Sequence, residues 1–156
     1  MSKLAEQLVA RLLEKHYTIS MAETCTGGLM ASEIVSVPHA SHVFNASVVV
    51  YSNESKIRYT HVSEDTLKTY GAVSEQTAIE MAKGIAEANH ADIGAAITGI
   101  TGPGGGTPDK PVGTMCFGFV INGRTVSSTQ SFGNIGRDAI RLASVELAMV
   151  LLLRLL

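Results

Sequence analysis

Ala22-Glu23-Thr24-Cys25-Thr26-Gly27-Gly28 is the stretch that decides how this chain folds. It closes a short apolar run, Tyr17 to Met21, and opens a helical pattern over residues 27–36. A strand passing through a tight turn into a helix is the repeating joint of α/β architecture. Two hydroxyls, a thiol and a carboxylate crowd onto this one turn. Gly27 and Gly28 carry no Cβ, so the backbone can approach a ligand closely. The first turn of the next helix presents unpaired N–H groups, which favour an anion. The turn is therefore a candidate seat for a nucleophile, a phosphate, or both.

Working outward, the same alternation continues. Leu4, Leu8 and Leu12 recur at helical spacing over residues 2–15, with Val9 and Leu13 beside them. Residues 17–22 read as a strand, and the β-branched run 44–51 as a buried one. Ser63 caps a short helix ending at Gly71, and Ser74 caps a longer one with Glu75 in its first turn. Residues 92–98 form another apolar strand, followed by a glycine-rich loop over 99–111. Asn122-Gly123 between 112–121 and 124–132 is a type I′ hairpin signal. A last helix starts near Arg137. The order α-β-α-β-α-α-β-β-β-α predicts a three-layer α/β/α sandwich with a mixed, mainly parallel sheet and one hairpin in its C-terminal half.

Bulk properties narrow the partners. With 156 residues, 46% of them hydrophobic, the chain suits one domain spanning 1–156. A net charge of −2 supplies no basic surplus for counterion release, so no nucleic acid is expected. No signal peptide or membrane span is evident, and Cys25 and Cys116 have neither metal-ligand nor disulfide-framework spacing. The expected setting is cytoplasmic, with no membrane partner and no metal.

Three further segments carry candidate chemistry. The loop Gly99-Ile100-Thr101-Gly102-Pro103-Gly104-Gly105-Gly106-Thr107 follows a strand end, where open α/β sheets hold ligands. It is neither a Walker A loop, which closes on Gly-Lys-Ser/Thr, nor a dinucleotide fingerprint, since Thr107 stands where the third glycine belongs. In Tyr51-Ser52-Asn53-Glu54-Ser55-Lys56, a desolvated lysine would serve as base to a hydroxyl nucleophile, against the plainer reading of a solvated side chain. Tyr51 would relay a proton or orient that lysine. Arg137 and Arg141 are four apart at the head of the last helix and offer guanidinium forks to phosphate, or simply pair with Asp138 or Glu146. Cys25 is a second candidate nucleophile, with small buried cysteine as the commoner fate.

Taken together, these segments, with Gly71-Ala72-Val73-Ser74-Glu75 and Lys110-Pro111-Val112-Gly113-Thr114, resemble the CinA C-terminal domain family over nearly the whole chain. That family includes PncC-like nicotinamide-mononucleotide deamidases. The resemblance implies an α/β/α fold and hydrolysis of the carboxamide of nicotinamide mononucleotide, without cofactor. The family's serine nucleophile falls on Thr24 here, a departure that keeps the hydroxyl but adds a methyl which restricts χ1. Its tyrosine and lysine fall on Tyr51 and Lys56. By the same resemblance Thr26, Gly27, Gly28, Gly99, Thr101, Gly102, Gly104 and Gly105 are substrate-binding, and Arg137 or Arg141 holds phosphate. A catalytically silent paralogue that binds a pyridine nucleotide, as sensor or interaction module, is the rival reading. A homo-oligomer is expected, with Met149, Leu152 and Leu153 as one surface for a homodimer and core packing as the other reading of that stripe.

Overall fold

The computed structural model describes residues 2–156. Its helices are α1 (Lys3–Lys15), α2 (Leu29–Val35), α3 (Asn53–Thr60), α4 (Glu64–Tyr70), α5 (Glu75–Ala88) and α6 (Arg137–Leu155). Its strands are β1 (Ile19–Glu23), β2 (Phe44–Val49), β3 (Ile93–Gly99), β4 (Thr114–Ile121) and β5 (Arg124–Ser131), and a short 3-10 turn covers Ala40–His42. The strands lie in the order β2-β1-β3-β4-β5. β1 runs parallel to both β2 and β3, while β4 is antiparallel to β3 and β5. Four strands thus point one way and β4 alone the other, the mixed sheet expected.

Alternation along the strands feeds two cores. Met21, Ile97 and Phe117 meet Leu8, Leu12, Ile34 and Met149 on the face covered by α1, α2 and α6. Ala22, Ala96 and Val120 meet Met81 and Ile85 of α5 on the other face. That second face is built from small residues because α5 lies almost on the strands. A Cβ on Gly118 would stand 2.3 Å from the Ala78 carbonyl carbon, and one on Gly94 2.0 Å from the Ala82 carbonyl oxygen. Backbone cannot yield as a side chain can. Gly118→Ala is expected to destabilise by about 3 kcal/mol, lowering the melting temperature in a thermal scan by roughly 6–12 °C.

Two expectations need correction. The segment 53–60 is a helix, α3, which the sequence pattern did not reveal. It starts at Ser52, whose Oγ accepts the Ser55 N–H at 3.1 Å. It crosses α5 at Gly84, where a Cβ would stand 1.8 Å from the Thr60 carbonyl oxygen. Second, β2 is an edge strand and half-exposed rather than buried, with Val49 50% accessible. The α6 stripe faces inward. Met149 and Leu152 are fully buried in the larger core and Leu153, partly buried, is packed against it, which is the core-packing reading of the stripe. Asn122 and Gly123, at φ +48° and +83°, form the expected hairpin turn. Among the described residues, no helix is long and apolar enough to cross a membrane.

Candidate active site

The turn after β1 is held by the chain's own carboxylate. Glu23 is fully buried. Its Oε1 accepts the Thr26 hydroxyl at 2.6 Å and the Met30 N–H at 3.1 Å, and its Oε2 accepts the Ala31 N–H at 3.1 Å. The anion expected at the start of α2 is therefore Glu23 itself. Thr26, fully buried, is committed to that carboxylate. Gly27 and Gly28 turn the chain into α2 at φ +60° and +96°. None of these three lines the cavity, and in the structure they shape the turn that carries Thr24.

Thr24 lies at the tip of β1 and is 5% exposed. Its hydroxyl donates to the Ile97 carbonyl of β3 at 3.1 Å. Next to it, Cys25 also reaches the cavity. Burial pushes the Cys25 thiol up, more than the Thr24 hydrogen bond and the nearby Arg137 and Arg141 charges pull it down. A thiol held in its neutral form is a poor nucleophile.

Lys56 enters from α3. Only 3% of it is exposed. Burial lowers its pKa, and the opposing pull of Cys25 is the smaller effect. Its Nζ donates to the Tyr51 carbonyl at 3.2 Å. The main chain of Tyr51 therefore orients the lysine. The Tyr51 phenol does not; it accepts a hydrogen bond from Arg137 at 3.1 Å and is largely exposed. The second arginine hydrogen bond, from Arg137 to the Gly102 carbonyl at 2.6 Å, ties α6 to the glycine-rich loop. Arg141 takes a different course: its Nε donates to the Cys25 carbonyl at 2.8 Å, outside the cavity lining. The sequence could not separate the two arginines; the geometry does.

These elements enclose a cavity of about 260 Å³ at the end of the sheet where β1 and β3 finish. Thr24, Tyr51, Lys56 and Arg137 line it, together with Gly99, Thr101, Gly102, Gly104 and Gly105. Sequence reading passed over Thr98 and Asn53, which also line it. Thr98 is 2% exposed and donates to the Ala72 carbonyl at 2.9 Å, which joins β3 to the segment before α5. Its polar side chain at the end of an apolar strand was the available signal. Gly99 sits where a Cβ would stand 2.8 Å from the Thr114 carbonyl oxygen, a backbone atom, as well as against the Met115 side chain. Gly102, at φ +76°, would meet Val112 at 2.6 Å. Among the described residues, no group of three or more His, Cys, Asp or Glu is placed to hold a metal ion.

Comparison with known proteins gives the family of this chain. Residues 1–156 match the CinA C-terminal domain. The chain belongs to that family. It is 51% identical over 137 residues to a CinA-like protein of Kosmotoga olearia, covering 87% of this chain and 33% of that one. It spans about a third of the length of the curated relatives it matches. Among solved structures it is similar to the competence/damage inducible protein CihA of Agrobacterium tumefaciens. The TM-score is 0.92 and the identity 38%, over 99% of this chain and 97% of that one. It is likewise similar to a CinA superfamily protein of Escherichia coli, with TM-score 0.94 and 34% identity over 98% and 88% of the two chains. The CinA fold is thus shared along nearly the whole of this chain.

Proposed function

We propose that this CinA C-terminal domain hydrolyses the carboxamide of nicotinamide mononucleotide, giving nicotinic acid mononucleotide and ammonia. The observation that carries the reading is a buried lysine amine on the same small cavity as the Thr24 hydroxyl and the Arg137 guanidinium. Substrate identity rests on the family likeness, carried by the residues that line this cavity.

Lys56, neutral when its burial wins, takes the proton from Thr24 Oγ1 as that oxygen attacks the amide carbon. The protonated amine then supplies the proton that lets ammonia leave. Water adds to the acyl-threonine ester, Lys56 again accepting a proton, and the acid is released. One amide and one water give one carboxylate and one ammonium, so the balance needs no other reactant. The Gly27 N–H is already bonded to the Thr24 carbonyl at 3.0 Å, and those of Met30 and Ala31 to Glu23. The N–H groups of Cys25 and Thr26 on the turn, and those of Thr101, Gly102, Gly104, Gly105 and Gly106 in the loop, are the candidate oxyanion donors. With the start of α2 taken by Glu23, Arg137 is the guanidinium on the cavity lining to hold the 5′-phosphate. Arg137→Ala is expected to raise KM by about 10- to 100-fold, the effect of losing a charge-assisted hydrogen bond, with a smaller change in kcat; initial-rate kinetics check this.

One observation favours the rival reading, a pocket that binds a pyridine nucleotide without turning it over. The Thr24 hydroxyl is bonded to Ile97 and Lys56 to Tyr51, so nucleophile and base are not bonded to each other. Such contacts commonly form only with substrate in place. Ammonia release from nicotinamide mononucleotide, with Lys56→Ala as control, decides between the two. Release that vanishes in the variant supports hydrolysis. Nucleotide binding without release, from folded protein, supports the silent pocket. Hydrolysis by Cys25 predicts loss of activity on thiol alkylation, and full activity after alkylation removes it.

A further inference from the structure

We propose that Arg141 is a positioning residue that clamps the turn carrying the nucleophile; the catalytic part of this role rests on the deamidase reading above. Arg137 and Arg141 stand one helical turn apart on α6, yet their side chains serve different groups. Arg137 reaches the cavity. Arg141 reaches behind it, its Nε 2.8 Å from the carbonyl oxygen of Cys25, the residue after Thr24. Its NH1 lies 3.3 Å from Asp138 Oδ1, which fixes the plane of the fork. Its NH2 would be 3.4 Å from a Cβ on Gly27, so the guanidinium packs directly on the turn.

The turn has few other ties. Within it, the Gly27 N–H bonds the Thr24 carbonyl at 3.0 Å. Glu23 holds Thr26 from one side, through the side chain. Arg141 holds the Cys25 peptide group from the other. The clamped carbonyl belongs to the Cys25–Thr26 peptide, one residue beyond Thr24, whose own hydroxyl is tied to the Ile97 carbonyl at 3.1 Å. Loss of the clamp frees the Cys25–Thr26 plane to rotate, and that motion, passed back through Cys25, carries Thr24 Oγ1 off line. A misplacement of about 1 Å costs roughly 100-fold in rate.

Cys25 reports on the clamp without reference to any substrate. It is 7% exposed and sits on the clamped peptide. The Arg141 charge favours the thiolate. Removing charge alone would therefore slow reaction of the thiol, whereas releasing the turn would expose it and speed the reaction. The sign separates the two.

The experiment is iodoacetamide labelling at neutral pH, read peptide by peptide, on the full chain and its Arg141→Ala, Arg141→Met and Arg141→Lys variants. Cys116, buried on β4, is the internal reference. Cys25 labelling is expected to accelerate about tenfold or more relative to Cys116 in the alanine and methionine variants, the signature of local opening, and to stay within about twofold in the lysine variant. In the same proteins kcat for ammonia release falls about 100-fold with KM within about threefold, and lysine restores most of it. Methionine keeps the length of the side chain, so a folding failure of the alanine variant leaves the comparison intact. Unchanged or slower labelling of Cys25 overturns the clamp. A KM rise with kcat held also overturns it, because that marks a substrate contact. If the parent chain releases no ammonia, the deamidase reading falls and labelling alone decides the clamp.

Discussion

Lys56→Ala lowers ammonia release from nicotinamide mononucleotide by about 10³- to 10⁴-fold, at the upper end of what a positioned base contributes. The fold is expected to survive, because the variant removes an amine that water would rather keep. The pH dependence follows from the same burial. Lys56 acts only when neutral, and burial lowers its pKa below the usual lysine range. The rate of the parent chain therefore rises with pH through that lowered pKa and then levels. Lys56→Arg is expected to be as inactive as the alanine variant, since a guanidinium stays protonated throughout. Stability carries a matching signature. Between the folded pKa and the unfolded value of about 10.4, the unfolded chain binds more protons, so stability rises with pH across that window. In Lys56→Ala this part of the slope disappears. Denaturant melts at several pH values check it, and a rate that persists in the alanine variant removes the lysine from the mechanism.

Position 24 holds the second large effect. Thr24→Ala is expected to abolish turnover, since no other hydroxyl stands at the tip of β1. Thr24→Ser is expected to raise kcat by about tenfold, because it removes a methyl that restricts χ1. In the resting protein the hydroxyl is bonded to the Ile97 carbonyl, and attack requires it to leave that partner. Serine rotates more freely to do so. Both variants are read by the same ammonia assay. A serine variant slower than threonine would show that the methyl helps to hold the attacking oxygen in line, and a fully active alanine variant would move the nucleophile elsewhere.

Much of this was legible in the residues themselves. Periodicity located β1, β3, the hairpin, and helices α1, α4, α5 and α6, because each has an apolar face or a turn signal that needs no partner to be recognised. α3 escaped because Asn53-Glu54-Ser55-Lys56-Ile57-Arg58-Tyr59-Thr60 has almost no apolar stripe. Its one deeply buried charged residue is Lys56, and its close packing depends on a glycine far along the chain, Gly84. The β2 run, rich in valine, read as interior, but an apolar strand does not announce whether a neighbour will cover its second edge. The Thr26-Gly27-Gly28 part of the turn pointed to a ligand because the sequence does not say that Glu23 folds back onto α2. Arg137 and Arg141 are equivalent as letters. Their division depends on what lies opposite each, the loop carbonyl of Gly102 or the turn carbonyl of Cys25.

The pairing of β3 with β4 sets Gly99 opposite Met115 at one end and Ile93 opposite Ile121 at the other. Everything chemical gathers at the first end. The Asn122-Gly123 bend stands at the second, with open space where a Cβ on Gly123 would go. The molecule thus offers a handle as far from its working end as the sheet is long. A short tag or an attachment point spliced between Asn122 and Gly123 meets the conditions under which insertions are tolerated. Immobilised there, the domain would face its cavity outward into solution.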